Sequence, residues 1–296
     1  MMLTQPRGGW RARAAVTLLL IACAAFGLAA CGSSDNKSSN TTSSSSGAAA
    51  SSGGAQNFNF LNSGQLTVGM NLQFKPEMYL DNGQPAGYDV DVLKALAPEL
   101  KQKLNIQNLD FNGLIPGLQA KKFDMVSVGL SATPERKKAV DFTRAYVPYA
   151  LVLAVPGKGQ KPTSADAFNV SGKTITALQG STGEQLAKKL FPKAAVKGFP
   201  DQNAAFLEVA TGRADGTVVE DYLLAQFQAS NAGKLEKAPI AKPLDVQYGS
   251  WAVPKGNDAF VKYLDTWLCK AQTDGTLERL YKKNFGVTEF PPMPAC

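Results

Sequence analysis

Three patterns of apolar and polar positions succeed one another along the chain. Residues 14–28 are almost all apolar, a run shorter than the roughly 20 residues a membrane-spanning helix needs. Residues 31–57 then hold little but Ser, Gly, Ala, Thr and Asn, which cannot bury enough apolar surface to offset the entropy of ordering, so a flexible tether is expected there. From Phe58 onward, short apolar runs alternate with segments whose apolar residues recur at helical spacing, the mark of strands interleaved with amphipathic helices.

Strands are predicted at residues 66–70, 106–111, 124–130, 149–155, 174–178, 214–219 and 251–253, with a turn at Asp81-Asn82-Gly83. Asp89 can cap a helix carrying Leu93, Leu96, Ala97, Leu100 and Leu104, although Pro98 sits awkwardly inside it. A second helix is expected over 113–121. Thr133-Pro134-Glu135 opens a third, with a capping hydroxyl and proline at the first helical position. Ser181-Thr182-Gly183-Glu184 has capping-box spacing. Helices over 201–211, 220–228, 258–272 and 274–284 complete the series, and Phe260, Leu264, Trp267, Leu268 and Ala271 mark one apolar face. Alternating strands and helices imply parallel sheets covered on both faces. There are two such series, so an α/β molecule of two facing lobes is expected. Ligands of such sheets sit beyond the carboxyl ends of strands, which makes the strand–helix turns the candidate sites.

The ends of the first apolar run fix the compartment. Arg7, Arg11 and Arg13 precede it, and Leu28-Ala29-Ala30-Cys31 follows. That is an export signal with a lipobox: residues 1–30 form a signal peptide cut before Cys31, which then carries lipid. A soluble signal with a chance cysteine, or an uncleaved anchor, is the alternative. The expected location is the outer face of the cell membrane, periplasmic in a Gram-negative host. Loss of three arginines lowers the formal charge from +7 to +4, with 28 basic residues against 24 acidic. Without a Lys/Arg-dense stretch, this excess does not argue for nucleic acid.

The chain has no histidine, which excludes Ser-His-Asp and Cys-His catalysis and histidine metal sites. No cofactor and no metal are expected. Ser171-Gly172-Lys173-Thr174 resembles the end of a phosphate loop but has Ala167 in place of the first glycine, and Gly129-Leu130-Ser131-Ala132-Thr133 lacks the last glycine of a nucleophile elbow. With Cys23 in the signal and Cys31 lipidated, Cys269 and Cys296 remain for a disulfide in an oxidising compartment, or as two free thiols.

Two strand–helix turns can receive an anion. The turn from Gly129 to Arg136 offers backbone N–H groups, the Ser131 hydroxyl and a guanidinium fork matched to a carboxylate. The alternative for Arg136 is a structural pair with Asp141. Gln179-Gly180-Ser181-Thr182 is the second, where Ser181 can equally be only a cap. Glu220 can face an ammonium group or be a solvated helix-start acid. Phe74 and Phe111 can flank a side chain or belong to the core. The residues alone reach anion sites in two facing lobes.

Five stretches, taken in order, carry a resemblance: LTVGMNLQFKPEMYLDNGQPAGYDVDVLKAL, LDFNGLIPGLQAKKFDMVSVGLSATPERKKAVDFTRAYVPY, LQGSTGEQLAKK, GRADGTVVEDYLL and DGTLERLYKKNFG. From about Leu66 to Gly286 the chain resembles the bacterial extracellular solute-binding proteins of family 3, polar amino acid receptors of ABC importers. The resemblance implies a two-lobed, type II periplasmic-binding-protein-like fold with two crossing strands near 150–155 and 248–253. Lobe 1 would comprise residues 58–154 and 248–296, and lobe 2 residues 155–247. It implies a monomer that closes on a free amino acid and presents the closed surface to permease subunits, with no catalysis. By position, Arg136 would hold the α-carboxylate with the N–H groups of Ser131 and Thr182. The Gly129 carbonyl, the Ser131 hydroxyl and Glu220 would receive the α-ammonium. Phe74 and Phe111 would sandwich the side chain, with Leu178 and Thr182 contributing from lobe 2.

Glu220 stands where most members have Asp, Asn71 where many have Asp, and Glu77 where an aromatic is common. Residues 248–255 read as one residue longer than usual. Asn71 and Glu77 bear on the side-chain pocket. Glu77, if buried and charged, needs a partner, either a cationic ligand or the adjacent Lys75. Arginine, lysine or ornithine is therefore expected ahead of glutamine and asparagine. Two other functions share the fold: a cyclohexadienyl (arogenate) dehydratase with Glu77 as general acid, and a sensory input domain.

Overall fold

The computed structural model describes residues 58–296. The export signal, Cys31 and the Ser-rich segment lie outside the described residues. The first strand–helix series comprises β1 (Gln65–Met70), β2 (Gln73–Phe74), β3 (Met78–Asp81), β4 (Gln84–Ala86), α1 (Tyr88–Glu99), β5 (Lys103–Asn108), α2 (Leu114–Gln119), β6 (Met125–Ser131), α3 (Pro134–Ala139) and β7 (Val140–Pro156). The second comprises β8 (Thr174–Leu178), α4 (Thr182–Leu190), β9 (Ala195–Phe199), α5 (Gln202–Ala210), β10 (Gly216–Glu220), α6 (Asp221–Ser230), β11 (Leu235–Lys237) and β12 (Asp245–Pro254). Two helices, α7 (Asp258–Thr273) and α8 (Thr276–Phe285), follow.

The main sheet runs β5-β1-β6-β12-β7-β10-β8-β9, with β11 added to β7. In each half a central strand, β1 or β8, lies parallel between two others, so the halves repeat one arrangement. The long antiparallel pair β7 and β12 joins them: β12 also pairs with β6, and the far end of β7 pairs with β10. This is the expected two-lobed α/β fold with two crossing strands. Both crossing strands are longer than predicted. Asp141, Arg144 and Pro148 break the apolar pattern ahead of the predicted strand, yet β7 extends over 17 residues because β12 pairs with residues 140–151 and β10 and β11 with the remainder.

Several local expectations meet a physical answer. The Thr133 hydroxyl accepts from the Arg136 N–H at 3.3 Å and Ser181 from the Glu184 N–H at 3.0 Å, so these two caps form as read. Asp201, read only as the start of a helix, also caps by accepting from the Ala204 N–H at 2.9 Å. Asp89 does not cap: α1 starts at Tyr88 after Gly87, and the Asp89 carboxylate turns into the core. Phe111 is not in a strand but opens a 3-10 turn, Phe111–Gly113, ahead of α2. The turn at Asn82-Gly83 is the tip of the β3–β4 hairpin in a small sheet β2-β3-β4, which the sequence pattern did not reveal. Nor did it reveal β9 and β11, which are short and carry mixed polar residues.

The predicted apolar face of α7 is buried residue for residue, and Trp251 of β12 stacks on its Trp267 at 6.0 Å between ring centroids. A separate cluster in the second half gathers Leu151, Leu153, Val155, Ile175, Phe191 and Val218. Cys269 and Cys296 are joined in a disulfide that fastens the C-terminal tail to α7.

Candidate functional site

The ends of β6, β8 and β10, the turn that opens α2 and the β2–β3 loop converge on one cavity. Its lining includes eight of the ten residues named from sequence: Phe74, Glu77, Phe111, Gly129, Arg136, Leu178, Thr182 and Glu220. Ser131 stands at its edge, with its hydroxyl 2.8 Å from that of Tyr149, which does line the cavity. Asn71 is not brought there. Its amide donates to the Leu109 carbonyl at 2.6 Å, which turns it into a separate recess beside Asp110 and Asp201.

Arg136 is buried on the first turn of α3, and its position there follows from the Thr133 cap and Pro134. Nη1 donates to the Ser131 carbonyl at 3.0 Å and Nη2 to the Gly180 carbonyl, in the opposite half, at 3.1 Å. The guanidinium also lies 5.7 Å from the Phe111 ring centroid. The structural pair with Asp141 is not made: Asp141 accepts from Lys255 Nζ and from the Gly256 N–H, each at 2.6 Å. Burial lowers the Arg136 pKa, opposed by Tyr149 and Glu220 nearby. Since two of five donors are engaged with neutral carbonyls, the fork retains donors for an anion in the cavity.

The opposite character is set by two acids. Glu220 ends β10 and starts α6 without capping it, and burial raises its pKa. Glu77 is buried, and its Oε2 accepts from the Tyr222 hydroxyl. Its Oε1 has no hydrogen-bond partner among the described residues. Burial raises the Glu77 pKa well above the carboxylate range, and Asp89 adds to this. Lys75 is not its partner, because Lys75 Nζ lies 5.0 Å over the Tyr79 ring centroid.

Behind Glu77 the cavity wall rests on a buried polar network. Asp89 accepts from the hydroxyls of Ser127 at 2.7 Å and Tyr146 at 2.6 Å, and Trp251 Nε1 donates to the Ser127 hydroxyl at 2.9 Å. Consecutive residues Gly249 and Ser250 pair with Val147 and Ala145, so β7 bulges at Tyr146. The Tyr146 hydroxyl there accepts from the Gly129 N–H at 3.0 Å, while Tyr149 donates to the Gly129 carbonyl at 2.6 Å. That carbonyl keeps a second lone pair for another donor.

Three contributors escape a reading of the sequence: Tyr149, Tyr222 and Gln247. Gln247 Oε1 accepts from the hydroxyls of Ser131 at 2.9 Å and Thr182 at 2.6 Å, tying the two strand–helix turns to a crossing strand. The Phe74 and Phe111 rings both line the cavity and meet edge to face at 75° with centroids 6.4 Å apart, the mutual contact their quadrupoles favour.

Residues 66–287 match the model of the bacterial extracellular solute-binding proteins, family 3. The chain belongs to this family. A curated relative, the arginine-binding extracellular protein ArtP of Bacillus subtilis (strain 168), is 30% identical over 270 residues, 90% of this chain and 96% of ArtP. Among solved structures, an ancestral arginine-binding protein bound to arginine aligns with a TM-score of 0.69 at 32% identity, covering 75% of this chain and 99% of that one. AncCDT-1, an ancestral amino acid-binding protein and precursor of cyclohexadienyl dehydratase, aligns with a TM-score of 0.68 at 34% identity, covering 75% of this chain and 95% of its own. The family's two-lobed type II fold is the architecture seen here.

Proposed function

We propose that this protein is an extracytoplasmic receptor for an amino acid with a cationic side chain, anchored by lipid at Cys31 and delivering its ligand to an ABC permease. Residues 58–154 and 248–296 form one lobe and 155–247 the other. The observation that carries this reading is the charge layout of a single cavity: one buried guanidinium, Arg136, and two acids, Glu220 and Glu77. A zwitterion places its carboxylate on Arg136 and the N–H groups of Ser131 and Thr182. Its ammonium falls to Glu220, the Gly129 carbonyl and the Ser131 hydroxyl. Glu77 is then the one acid left over, and a guanidinium or ammonium on the side chain matches it. Each charge-assisted hydrogen bond contributes about 1.5–3 kcal/mol. Because these groups come from both sides of the crossing strands, ligand binds the closed form better and draws the lobes together. ArtP and the ancestral arginine-binding protein are named for such a ligand, which supports the same reading.

Thermal-shift screening of the full chain against the twenty amino acids and ornithine tests it. A ligand at 100 times its Kd should stabilise the protein by about 2.7 kcal/mol. Arginine, lysine or ornithine should lead, then glutamine and asparagine, with aliphatic residues behind. Leucine or glutamate as best ligand would overturn the pocket argument, and no response to any amino acid would overturn the receptor reading. A carboxyl whose pKa burial raises, as at Glu77, is also what a dehydratase would use as general acid. Incubation with arogenate and prephenate covers that case, and aromatic product would replace the receptor with an enzyme.

A further inference from the structure

Glu77 and Tyr222 come from opposite halves of the molecule. Glu77 lies in the β2–β3 loop ahead of α1, and Tyr222 is the second residue of α6, just past β10. The Tyr222 ring is fixed from behind by Phe285 of α8, edge to face with centroids 5.4 Å apart. From there its hydroxyl donates to Glu77 Oε2 across the cleft. The remaining oxygen, Oε1, is buried, without a partner, and faces Gly129 so closely that a Cβ at that glycine would stand 2.5 Å from it. The φ of +57° at Gly129 also disfavours any side chain there. A carboxylate is thus clamped by one oxygen and aimed with the other along the wall of the cavity.

We propose that Tyr222 is a positioning residue that determines ligand charge: it holds Glu77 across the closed cleft so that Oε1 is a single acceptor for a charged N–H donor on the ligand's side chain. This rests on the amino acid receptor reading above and deepens it. The hydroxyl acts on charge as well as on position, because a hydrogen bond donated to a carboxylate favours its ionised form. Everything else near Glu77 works the other way or is neutral. Asp89 and Tyr88 face it from α1, Tyr146 and Tyr149 from β7, Glu220 from the end of β10 and Tyr281 from α8, and burial withdraws solvent. Without the Tyr222 hydroxyl, Glu77 loses the neighbour that favours its ionised form and the bond that holds it in place, so it discriminates less well between a guanidinium and a neutral group of the same shape.

L-arginine and L-citrulline provide that comparison, since guanidinium and urea are nearly isosteric and differ in charge. Affinities for both are measured by calorimetry on the full chain, with melting temperatures confirming that each variant is folded. Tyr222→Phe, which keeps the contact with Phe285, should lower the arginine-to-citrulline affinity ratio at least tenfold. In a Glu77→Gln background the same change should move the ratio less than twofold, the coupling expected of two groups acting as one. An equal loss for both ligands would make Tyr222 a packing or closure residue only and would overturn the inference, as would an unchanged ratio or the same shift in both backgrounds. Wild-type protein that binds some amino acid but does not prefer arginine to citrulline also overturns it, leaving the receptor reading intact. Failure to bind any amino acid defeats the receptor reading itself.

Discussion

Two backbone carbonyls set the plane of the Arg136 fork, those of Ser131 and Gly180, and the Phe111 ring lies beside it. Such a group is preorganised, so its removal loses a charge-assisted contact and leaves a ligand carboxylate desolvated and unpaired. Arg136→Ala should therefore cost about 2–5 kcal/mol of binding, at least a thirtyfold rise in Kd, in a protein that still folds. Arg136→Lys should also bind poorly, because a point charge does not reproduce the fork. Calorimetry showing unchanged affinity in either variant would remove Arg136 from the site. Asp89 yields a prediction about stability. Burial raises its pKa to about 7 against the two hydroxyls that favour its charged form, whereas an unfolded chain titrates near 3.9. Between these values the folded protein keeps a proton that the unfolded chain has lost. This contribution is fully present below about pH 4 and is lost as pH rises towards 7. The melting temperature of Asp89→Asn, relative to wild type, should accordingly climb from pH 4 to pH 7. A constant offset across that range would mean that Asp89 does not titrate there. The positions of Arg136, Thr182 and Glu220 were legible in the sequence because strand–helix turns have a local grammar of caps, prolines and strand ends. Tyr222 and Gln247 were not, since their partners lie 145 residues away for Tyr222 and 65 and 116 residues away for Gln247, and an isolated Tyr or Gln carries no local signal.

At the scale of elements, helices marked by a polar starting residue or by an apolar stripe were read almost to the residue, as α5, expected over 201–211, and α7, expected over 258–272, show. Strands were read where they are buried on both faces and underestimated where only pairing defines them. β7 is a strand over its whole length because β12 satisfies its backbone over residues 140–151 and β10 and β11 satisfy the rest, a fact that no window of sequence contains. The C-terminal segment has no regular structure, yet it is held at two points. Its disulfide joins Cys269 to Cys296, 27 residues apart, and the Pro294 carbonyl accepts from Arg144 at 3.2 Å and Gln272 at 3.0 Å. On the loop-entropy model a closure of this length contributes about 3–4 kcal/mol. Cys296→Ser should lower the denaturation free energy by that order under non-reducing conditions. Reductant should likewise destabilise the wild type and leave the variant unmoved. Equal stability of wild type and variant would show that the tail adds nothing to the fold.

For the whole molecule, polar contacts span the cleft from Arg136 to Gly180, Gln247 to Ser131, Tyr222 to Glu77, and the Gln202 N–H to Gln73 Oε1 at 3.0 Å, beside the ring contact of Tyr222 with Phe285. Hydrogen bonds contribute about 0.5–1.5 kcal/mol each when neutral and about 1.5–3 kcal/mol when one group is charged, the same order as the charge-assisted contacts proposed for the ligand. The proposed receptor would have to stay near its permease, and the lipid expected at Cys31 would keep it there. Phe58 and Phe60, at the start of the described body, pack on Phe260 of α7, and Phe58 also meets Tyr263, so the body's N-terminus is fixed to the side of the fold that carries α7. Anchoring upstream would rest on the acyl chains at Cys31. One buried acyl chain gives only marginal membrane binding at about 0.8 kcal/mol per CH₂, whereas two hold a protein stably. The diacylglyceryl group expected at a lipobox cysteine supplies two. Cys31→Ala should therefore appear in the soluble fraction or the medium, while wild type stays with membranes, incorporates labelled lipid and accumulates as precursor under globomycin. The variant should keep its amino acid affinity, because the cavity lies wholly within residues 74–223. Membrane retention of Cys31→Ala together with an unlabelled wild type would mean that something other than lipid holds the receptor in place.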